Sequence, residues 1–231
     1  MPAGMELLKA VKEYRRGERP AKRKQDTEPK PPGISARALA DTPAAFHVTV
    51  IPTAPFLAIP ENSSETREYL PIGWLGPPTI PSNKLRFIKD ADLWHFGILT
   101  SRIHVAWLRY IGGKIKSDFQ YSIGVVYNTF PWPEASDEQR LKIRTLAQAV
   151  LDARSEWPNS TLADLYDADV MPAALRKAHR QLDAAVDRLY RSAPFTSDRE
   201  RVEHLFGGYE SLVAPLVAAS RERSPRSRRR P

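Results

Sequence analysis

The sequence contains no cysteine, so disulfide bonds, thiolate zinc sites and cysteine nucleophiles are excluded. It also has no run of about 18 apolar residues, and we predict no membrane-spanning segment. The five histidines include no pair at the i, i+4 spacing of a metal site on a helix, so we expect no bound metal. Because the charged N-terminus lacks the apolar core of a signal peptide, a cytoplasmic location is the default expectation.

No complete catalytic constellation is present either. No serine lies in the Gly-x-Ser-x-Gly frame of a hydrolase nucleophile. Asp26, Glu28 and Lys30 have the spacing of magnesium-nuclease residues, but they lie in a proline-rich stretch that cannot hold the required geometry. Gly112–Gly113 and Gly207–Gly208 follow helical patterns, whereas cofactor-binding glycines open a turn after a strand. We therefore predict that this chain has no catalytic residue and no cofactor site of its own.

The positive charge is concentrated at the two ends of the chain. The net charge is +8, but residues 1–32 hold nine Lys or Arg against five Asp or Glu, and residues 221–231 hold six Arg against one Glu. Residues 82–120 form a further basic stretch, with seven Lys or Arg and three Asp. A basic balance favours a polyanionic partner, although basic tails are more often merely solvated. A general DNA-binding protein that uses its tails is therefore one open interpretation.

Composition and periodicity divide the chain into four segments. Residues 1–33 combine a short helix with a charged, proline-rich linker. Residues 34–133 mix short strands with a helix, residues 134–216 follow helical periodicity, and residues 217–231 form a basic tail that we expect to be disordered. The fold class that follows is α+β, with a small mixed α/β domain ahead of a short helical domain.

Local patterns predict the elements of these two domains. Apolar and β-branched runs predict four short strands: Phe46–Ile51, Phe56–Ile59, Tyr69–Ile72 and Leu85–Ile88. Apolar residues at helical spacing predict one helix over Asp92–Ile111, which Gly97 is expected to bend. Gly112–Gly113 is expected to end this helix in the left-handed conformation that glycine adopts easily, and Lys114–Tyr127 predicts one or two further strands.

Residues 134–216 are predicted to hold three helices that pack together. Ser136 with Gln139 and Ser197 with Glu200 have the spacing of N-terminal capping boxes. Between them, apolar residues from Leu175 to Leu189 recur on one helical face.

The segment between Gly112 and Ser122 carries polar side chains at every second position. If it forms one strand, four of them share a face: Lys114, Lys116, Asp118 and Gln120. In a DNA major groove, lysine donates to guanine, aspartate accepts from cytosine, and an amide pairs with adenine. A solvated strand with a weak surface ion pair is the alternative, and the residues alone leave both interpretations open. A weaker candidate pair for reading bases follows a proline-rich loop and consists of Asn83 and Lys84.

Several separated motifs from about Thr42 to Tyr209 resemble one known family. In this order and spacing, they are similar to the target-recognition and C-terminal domains of MmeI-like DNA methyltransferases. The motifs are SSETREYLPIGWL (63–75), HFGILTSRIHVAWLRYIGG (95–113), KSDFQYS (116–122), YNTFPWP (127–133), LADLYDADVMPAALRKAHRQLDAAVDRLY (162–190) and PFTSDRERVEHLF (194–206).

The resemblance implies an enzyme that uses S-adenosylmethionine to methylate adenine at N6 in double-stranded DNA, often within a restriction–modification system. The chain departs from the full family by starting after the methyltransferase domain, and Asn128–Pro131 matches the base-gripping loop of such enzymes only in outline. The implied partners are double-stranded DNA and a separate catalytic chain. An inactive truncated remnant, or a specificity-type subunit that works only with such a chain, is the alternative function.

The resemblance also implies roles for individual residues. Lys116, Asp118 and Gln120 fall on positions that vary with the recognised DNA sequence, so they are the first candidates for reading bases. Asn83 and Lys84 are second-rank candidates. Three cations are assigned to DNA phosphates: Arg102, Arg109 and Lys114. For Arg109, packing within the protein or capping of the helix is the alternative.

Overall fold

A computed structural model describes residues 2–18, 31–44 and 52–223 of the chain. The chain divides into two compact units, Met1–Ile51 and Pro52–Pro231. The second unit contains the β-sheets, most of the helices and all the candidate site residues.

The first unit contains two helices, α1 (Pro2–Arg16) and α2 (Ile34–Ala38). Gly17 follows α1 with a φ of 79°, the left-handed conformation that glycine adopts at helix ends. Arg16 pairs with Asp41 at 2.7 Å, and this hydrogen bond lowers the pKa of the Asp41 carboxyl. The residues between the two helices include the linker expected from the sequence, most of which lies outside the described residues.

The second unit contains six described strands in two antiparallel sheets. The strands are β1 (Phe56–Pro60), β2 (Asn62–Ser63), β3 (Gly73–Leu75), β4 (Leu85–Lys89), β5 (Gly113–Ile115) and β6 (Asp118–Gln120). One sheet has the order β3–β1–β4 and the other has the order β2–β6–β5. β1 and β4 confirm the strands expected at residues 56–59 and 85–88, whereas the strand expected at Phe46–Ile51 lies outside the described residues.

Six α-helices are described in the second unit. They are α3 (Leu93–Leu99), α4 (Arg102–Ile111), α5 (Asp137–Ser155), α6 (Leu162–Leu165), α7 (Ala173–Tyr190) and α8 (Asp198–Arg223). The expected α+β class is confirmed, because a mixed helix and sheet region precedes a helical one. Within the described ranges, no helix combines the length and apolar character that crossing a membrane requires.

The helix expected over residues 92–111 is two helices. Its start is as predicted, since the Asp92 carboxylate caps the first turn of α3. The chain then breaks after Leu99, where the Ser101 hydroxyl donates to the Ile98 carbonyl at 2.6 Å. Gly97 does not bend α3. A Cβ on Gly97 would lie 2.7 Å from Cγ2 of Ile143, so glycine lets α3 and α5 pack closely.

Gly97→Ala is therefore expected to destabilise the protein by about 1–3 kcal/mol through overpacking. Gly207→Ala is the matched control, because a Cβ there meets nothing within 4 Å and should stabilise α8 slightly. Urea unfolding of both variants measures the difference. Equal stabilities of the two variants would show that the α3–α5 contact has room for a methyl group.

Two segments expected to be strands have other structures. Tyr69–Ile72 is irregular and precedes β3, because the Ile72 carbonyl accepts from Arg154 of α5 at 2.8 Å and the Ile72 N–H donates to the Leu70 carbonyl at 2.9 Å, so neither group joins a strand ladder. Ile123–Tyr127 forms one turn of π-helix, in which the Asn128 N–H donates to the Ile123 carbonyl at 2.9 Å. In this turn Gly124 is exposed while Val126, which would share its face in a strand, is buried, so burial does not follow the alternation of a strand across two faces.

The helical region begins as the capping patterns predict. Ser136 and Gln139 form the expected reciprocal capping box of α5. Ser197 accepts from the Glu200 N–H at 3.2 Å, but the Glu200 carboxylate bonds to Thr196 and not back to Ser197. α8 continues to Arg223 and so includes the first part of the tail predicted to be disordered from residue 217, a stretch with helix-favouring alanines.

Candidate nucleic-acid interface

β5 and β6 are the two arms of a hairpin, and Lys116 with Ser117 forms its two-residue turn, here called the hairpin tip. Lys116 has a φ of 58°, in the left-handed region that is unfavourable for residues with a Cβ. Both tip residues are exposed. Of the one or two strands predicted over Lys114–Tyr127, the structure has two as far as Gln120. The single strand that would place all four polar side chains on one face is not formed, because the chain reverses at this turn.

The reversal changes which polar side chains share a face. In the antiparallel register, Lys114 lies opposite Phe119 and Ile115 lies opposite Asp118. Opposed residues point to the same side of a sheet, and neighbours along a strand point to opposite sides. Lys114 is therefore on the same face as Phe119. The single-strand pattern had placed it on the face of Asp118 instead. Asp118 and Gln120 do share a face.

The two faces of this sheet have different surroundings. On the Phe119 face, Ser63 of β2 is buried, and the Arg109 guanidinium lies 5.8 Å from the Phe119 ring centre. The opposite face, here called the outer sheet face, consists of Asn62, Gly113, Ile115, Asp118 and Gln120. Asn62 was missed by the sequence reasoning, since a two-residue strand has no periodicity to detect.

Gly112 and Gly113 are needed for space. Gly112 has a φ of −64°, so the expected left-handed cap is wrong. A Cβ on Gly112 would lie 2.5 Å from the Leu108 carbonyl oxygen, because the chain leaves α4 very close to its last turn. A Cβ on Gly113 would lie 3.1 Å from Oε1 of Gln120, which is a flexible side chain.

Gly112→Ala is expected to destabilise the protein by about 1–3 kcal/mol, since backbone has to shift to admit the methyl group. Gly113→Ala is the matched control with a smaller expected loss, because only the Gln120 side chain has to move. The thermal unfolding midpoints of the two variants measure the difference. A midpoint for Gly112→Ala at or above that of Gly113→Ala would contradict this assignment.

Glu61 brings the second candidate pair, Asn83 and Lys84, to the same region. The Glu61 N–H donates to the Lys84 carbonyl at 2.9 Å, and the Glu61 carbonyl accepts from the Tyr121 N–H at 2.7 Å. The Glu61 carboxylate also pairs with Arg86 at 2.7 Å and with Lys84 at 3.4 Å. These bonds hold the exposed turn at residues 83–84 beside the end of β6.

Arg102 and Arg109 have partners within the protein. Arg102 donates to both carboxylate oxygens of Asp198, at 2.8 and 3.0 Å, and lies 3.4 Å from Glu68. The hydrogen bond to Asp198 raises the pKa of Arg102. Arg109 donates to the Arg67 carbonyl at 2.6 Å. Both guanidinium groups therefore connect α4 to neighbouring segments and are not displayed on an open surface.

A buried carboxylate positions the helix that leads into the hairpin. Asp183 of α7 accepts from the Tyr69 hydroxyl at 2.7 Å and from the backbone N–H of Arg102, the first residue of α4, also at 2.7 Å. Burial raises the pKa of Asp183 to about 7. Because α4 ends directly at the hairpin, these bonds fix the base of the hairpin against the helical region.

His104 anchors the other end of the hairpin. Its Nε2 lies 3.1 Å from the Tyr121 hydroxyl, directly after β6, and both side chains are buried. Burial lowers the pKa of His104 to about 3, so the ring is neutral at pH 7. The hairpin is therefore anchored at its base, and it carries an exposed tip and an outer sheet face on which Asp118 is exposed and Gln120 is half-buried.

The described residues around this hairpin include neither a metal cluster nor a cofactor-binding turn. No cluster of three or more metal-binding side chains occurs among the described residues. Gly112–Gly113 follows α4 and Gly207–Gly208 lies within α8, so neither pair opens a turn after a strand. The described residues therefore do not fit S-adenosylmethionine, which the resemblance associates with the full-length enzymes.

Comparison with known proteins identifies the family. Residues 5–134 match the family described as MmeI, target recognition domain, and residues 135–217 match MmeI, C-terminal domain. DNA methyltransferase A of Bacillus subtilis (strain 168) is 42% identical over 175 residues, which are 76% of this chain and 20% of that protein. A solved structure of the type IIL restriction-modification enzyme MmeI in complex with DNA has a TM-score of 0.82 and 37% identity, over 93% of this chain and 27% of that chain.

The chain thus spans less than a third of the length of either relative. The two family matches are contiguous, meeting just before α5, and together they cover the second unit almost completely. The resemblance seen in the sequence motifs is confirmed. This chain belongs to the MmeI family, of which it carries the target recognition domain and the C-terminal domain.

Proposed function

We propose that this chain makes the sequence-specific contact with double-stranded DNA for an N6-adenine methyltransferase of a restriction–modification system. The observation that carries the proposal is the hairpin between β5 and β6. It carries an ammonium group, a carboxylate and an amide on one small element, where Lys116 and Asp118 are exposed and Gln120 is half-buried.

These groups complement the base edges of a DNA major groove, which is wide enough to admit a two-stranded ribbon. Lysine donates to O6 and N7 of guanine, and aspartate accepts from N4 of cytosine. Lys116 and Asp118 flank a single residue, so together they match the two bases of one G·C pair. The amide of Gln120 matches N6 and N7 of adenine.

The backbone at Lys116 supports a role for its side chain. A non-glycine residue at positive φ is strained by roughly 1–2 kcal/mol, and such strain is concentrated at functional sites. Glycine would relieve the strain but would remove the ammonium group. A lysine at this position is consistent with selection for binding at the expense of stability.

The remaining candidates have supporting roles in the proposal. Asn83 and Lys84 form a second contact beside the end of β6, although Glu61 partly neutralises the lysine. Lys114 is the phosphate contact that we retain, because it is exposed and its only described contact is with the Phe119 ring. Arg102 and Arg109 are left out, since both are engaged within the protein.

The two domains have different roles in this function. Residues 34–133 read the DNA, and residues 134–216 brace them through the α4–α7 contact at Asp183. Methyl transfer and the binding of S-adenosylmethionine belong to a catalytic part that lies outside these domains, in the same polypeptide or in a separate chain. No step of that reaction is assigned to the residues described.

The proposal is tested by selecting duplexes with a randomised centre on the full 231-residue chain. Enrichment of one short sequence is expected, bound about a thousandfold more tightly than a scrambled duplex at physiological salt. A variant ending at residue 223 should keep this preference. Binding without enrichment would support a nonspecific tail-binding protein, and no binding would support an inactive remnant; either result would overturn the proposal.

A further inference from the structure

The outer sheet face carries a second amide directly beside Gln120. Asn62 of β2 lies opposite Gln120 of β6 in the antiparallel register. Asn62 is exposed, whereas Ser63, the next residue along β2, is buried. Because opposed residues share a face, with Cβ atoms about 4.5–5.5 Å apart, the two side chains leave the sheet at adjacent positions on the outer sheet face.

Asn62, Gln120 and Gly113 form a row across the three strands, and the third position of this row has no side chain. Gly113 of β5 lies opposite Gln120 on its other side, and it contributes no side chain. A glycine inside a strand often marks a place where a ligand approaches the backbone closely. Oε1 of Gln120 lies 3.1 Å from where a Cβ of Gly113 would be, so the amide extends across this gap.

Both amides retain their full hydrogen-bonding capacity. In the part of the chain that the structure describes, neither the Asn62 nor the Gln120 side chain has a protein partner. The amide of Gln139, by contrast, is used in the cap of α5. Two unengaged amides on adjacent strands present donors and acceptors that match the N6 and N7 edge of adenine.

We infer that Asn62 is a specificity-determining residue, which reads an adenine in the base pair next to the one read by Gln120. This inference rests on the proposed function of the hairpin. It adds β2, a strand outside the hairpin, to the reading surface. That surface then extends across all three strands of the sheet.

Duplex selection with Asn62→Ala tests the inference. The variant should lose its preference at a single A·T pair by about 5- to 150-fold, with the other selected positions unchanged. Its unfolding midpoint and its affinity for a scrambled duplex should match those of the unmodified chain. Asn159→Ala is the matched control, because Asn159 is an exposed asparagine in the turn between α5 and α6.

A second variant, Asn62→Asp, converts the amide to an acceptor-only group and should move the preference at that pair towards cytosine. If the unmodified chain selects no sequence, the proposed function itself fails. If it selects a sequence that both Asn62 variants retain, only the inference fails. Uniform weakening on all duplexes, or a lowered midpoint, would show that Asn62 is merely structural and would also overturn the inference.

Discussion

Lys116→Glu combined with Asp118→Arg is expected to change which duplex the protein prefers. The exchange reverses the donor and the acceptor at these two positions of the hairpin and leaves the net charge of the chain unchanged. An acceptor at position 116 no longer matches guanine, and a donor at position 118 no longer matches cytosine. Each lost base contact weakens binding to the original sequence by about 1–3 kcal/mol. Competition between duplexes that differ only at the affected base pair measures this change.

The matched control exchanges an ion pair outside the hairpin, Arg199→Glu with Glu203→Arg on α8. Both side chains are exposed and pair with each other at 2.7 Å, so their exchange also conserves charge. This variant should keep the original preference and affinity. If the hairpin exchange instead weakens all duplexes to the same degree, base reading by Lys116 and Asp118 is wrong.

Arg154→Leu is expected to cause the largest loss of stability among the single changes considered. Arg154 of α5 is buried, donates to the Ile72 carbonyl at 2.8 Å, and donates from two nitrogens to the Tyr166 hydroxyl. Its guanidinium also lies 5.0 Å from the ring centre of Phe96. Leucine would leave the carbonyl and the hydroxyl without these donors in a buried site.

The expected loss is about 3 kcal/mol, because hydrogen bonds from charged groups contribute more than neutral ones. For a chain of this size, the unfolding midpoint should fall by roughly 6–12 °C. Arg154→Lys should lose nearly as much, since an ammonium group cannot span both acceptors as the planar guanidinium does. Calorimetry or circular dichroism measures the midpoints.

Arg180→Leu is the control, because Arg180 is an exposed arginine on α7 and should change stability by less than about 0.5 kcal/mol. An equal midpoint for Arg154→Leu and Arg180→Leu would show that the buried hydrogen bonds do not hold α5 to the segment before β3. It would also remove the explanation for why that segment is irregular.

Elements with a local signal were predictable. The start of α3 at Asp92 and the capping box at Ser136 were read from the sequence, because both depend on side chains within one helical turn. Strands β1 and β4 were found from short apolar runs. The Tyr69–Ile72 run has the same character but forms no strand, because its partners are Asp183 and Arg154 of distant helices.

The candidate site was predictable in its residues but not in its geometry. Lys116, Asp118 and Gln120 were selected from alternation, and the structure places Asp118 and Gln120 on one face. The turn at Lys116 was missed, since neither Lys nor Ser is typical of a position with positive φ. A two-residue turn shifts the alternation by one residue, and arms of three residues each are too short for that shift to be recognised in the sequence.

By itself, the sequence determined the chemical groups that this protein has available, the lack of cysteine chemistry and the family to which its motifs belong. These depend on residue identity and short-range order, which are properties of the chain. Only the tertiary structure decided that Arg102 is engaged by Asp198, that Lys114 faces away from Asp118, and that Asn62 lies beside Gln120. Each of these facts depends on strand pairing or on a contact between separate elements. Such pairings form because backbone groups must be satisfied and apolar surface buried across the whole fold, and no local pattern specifies them.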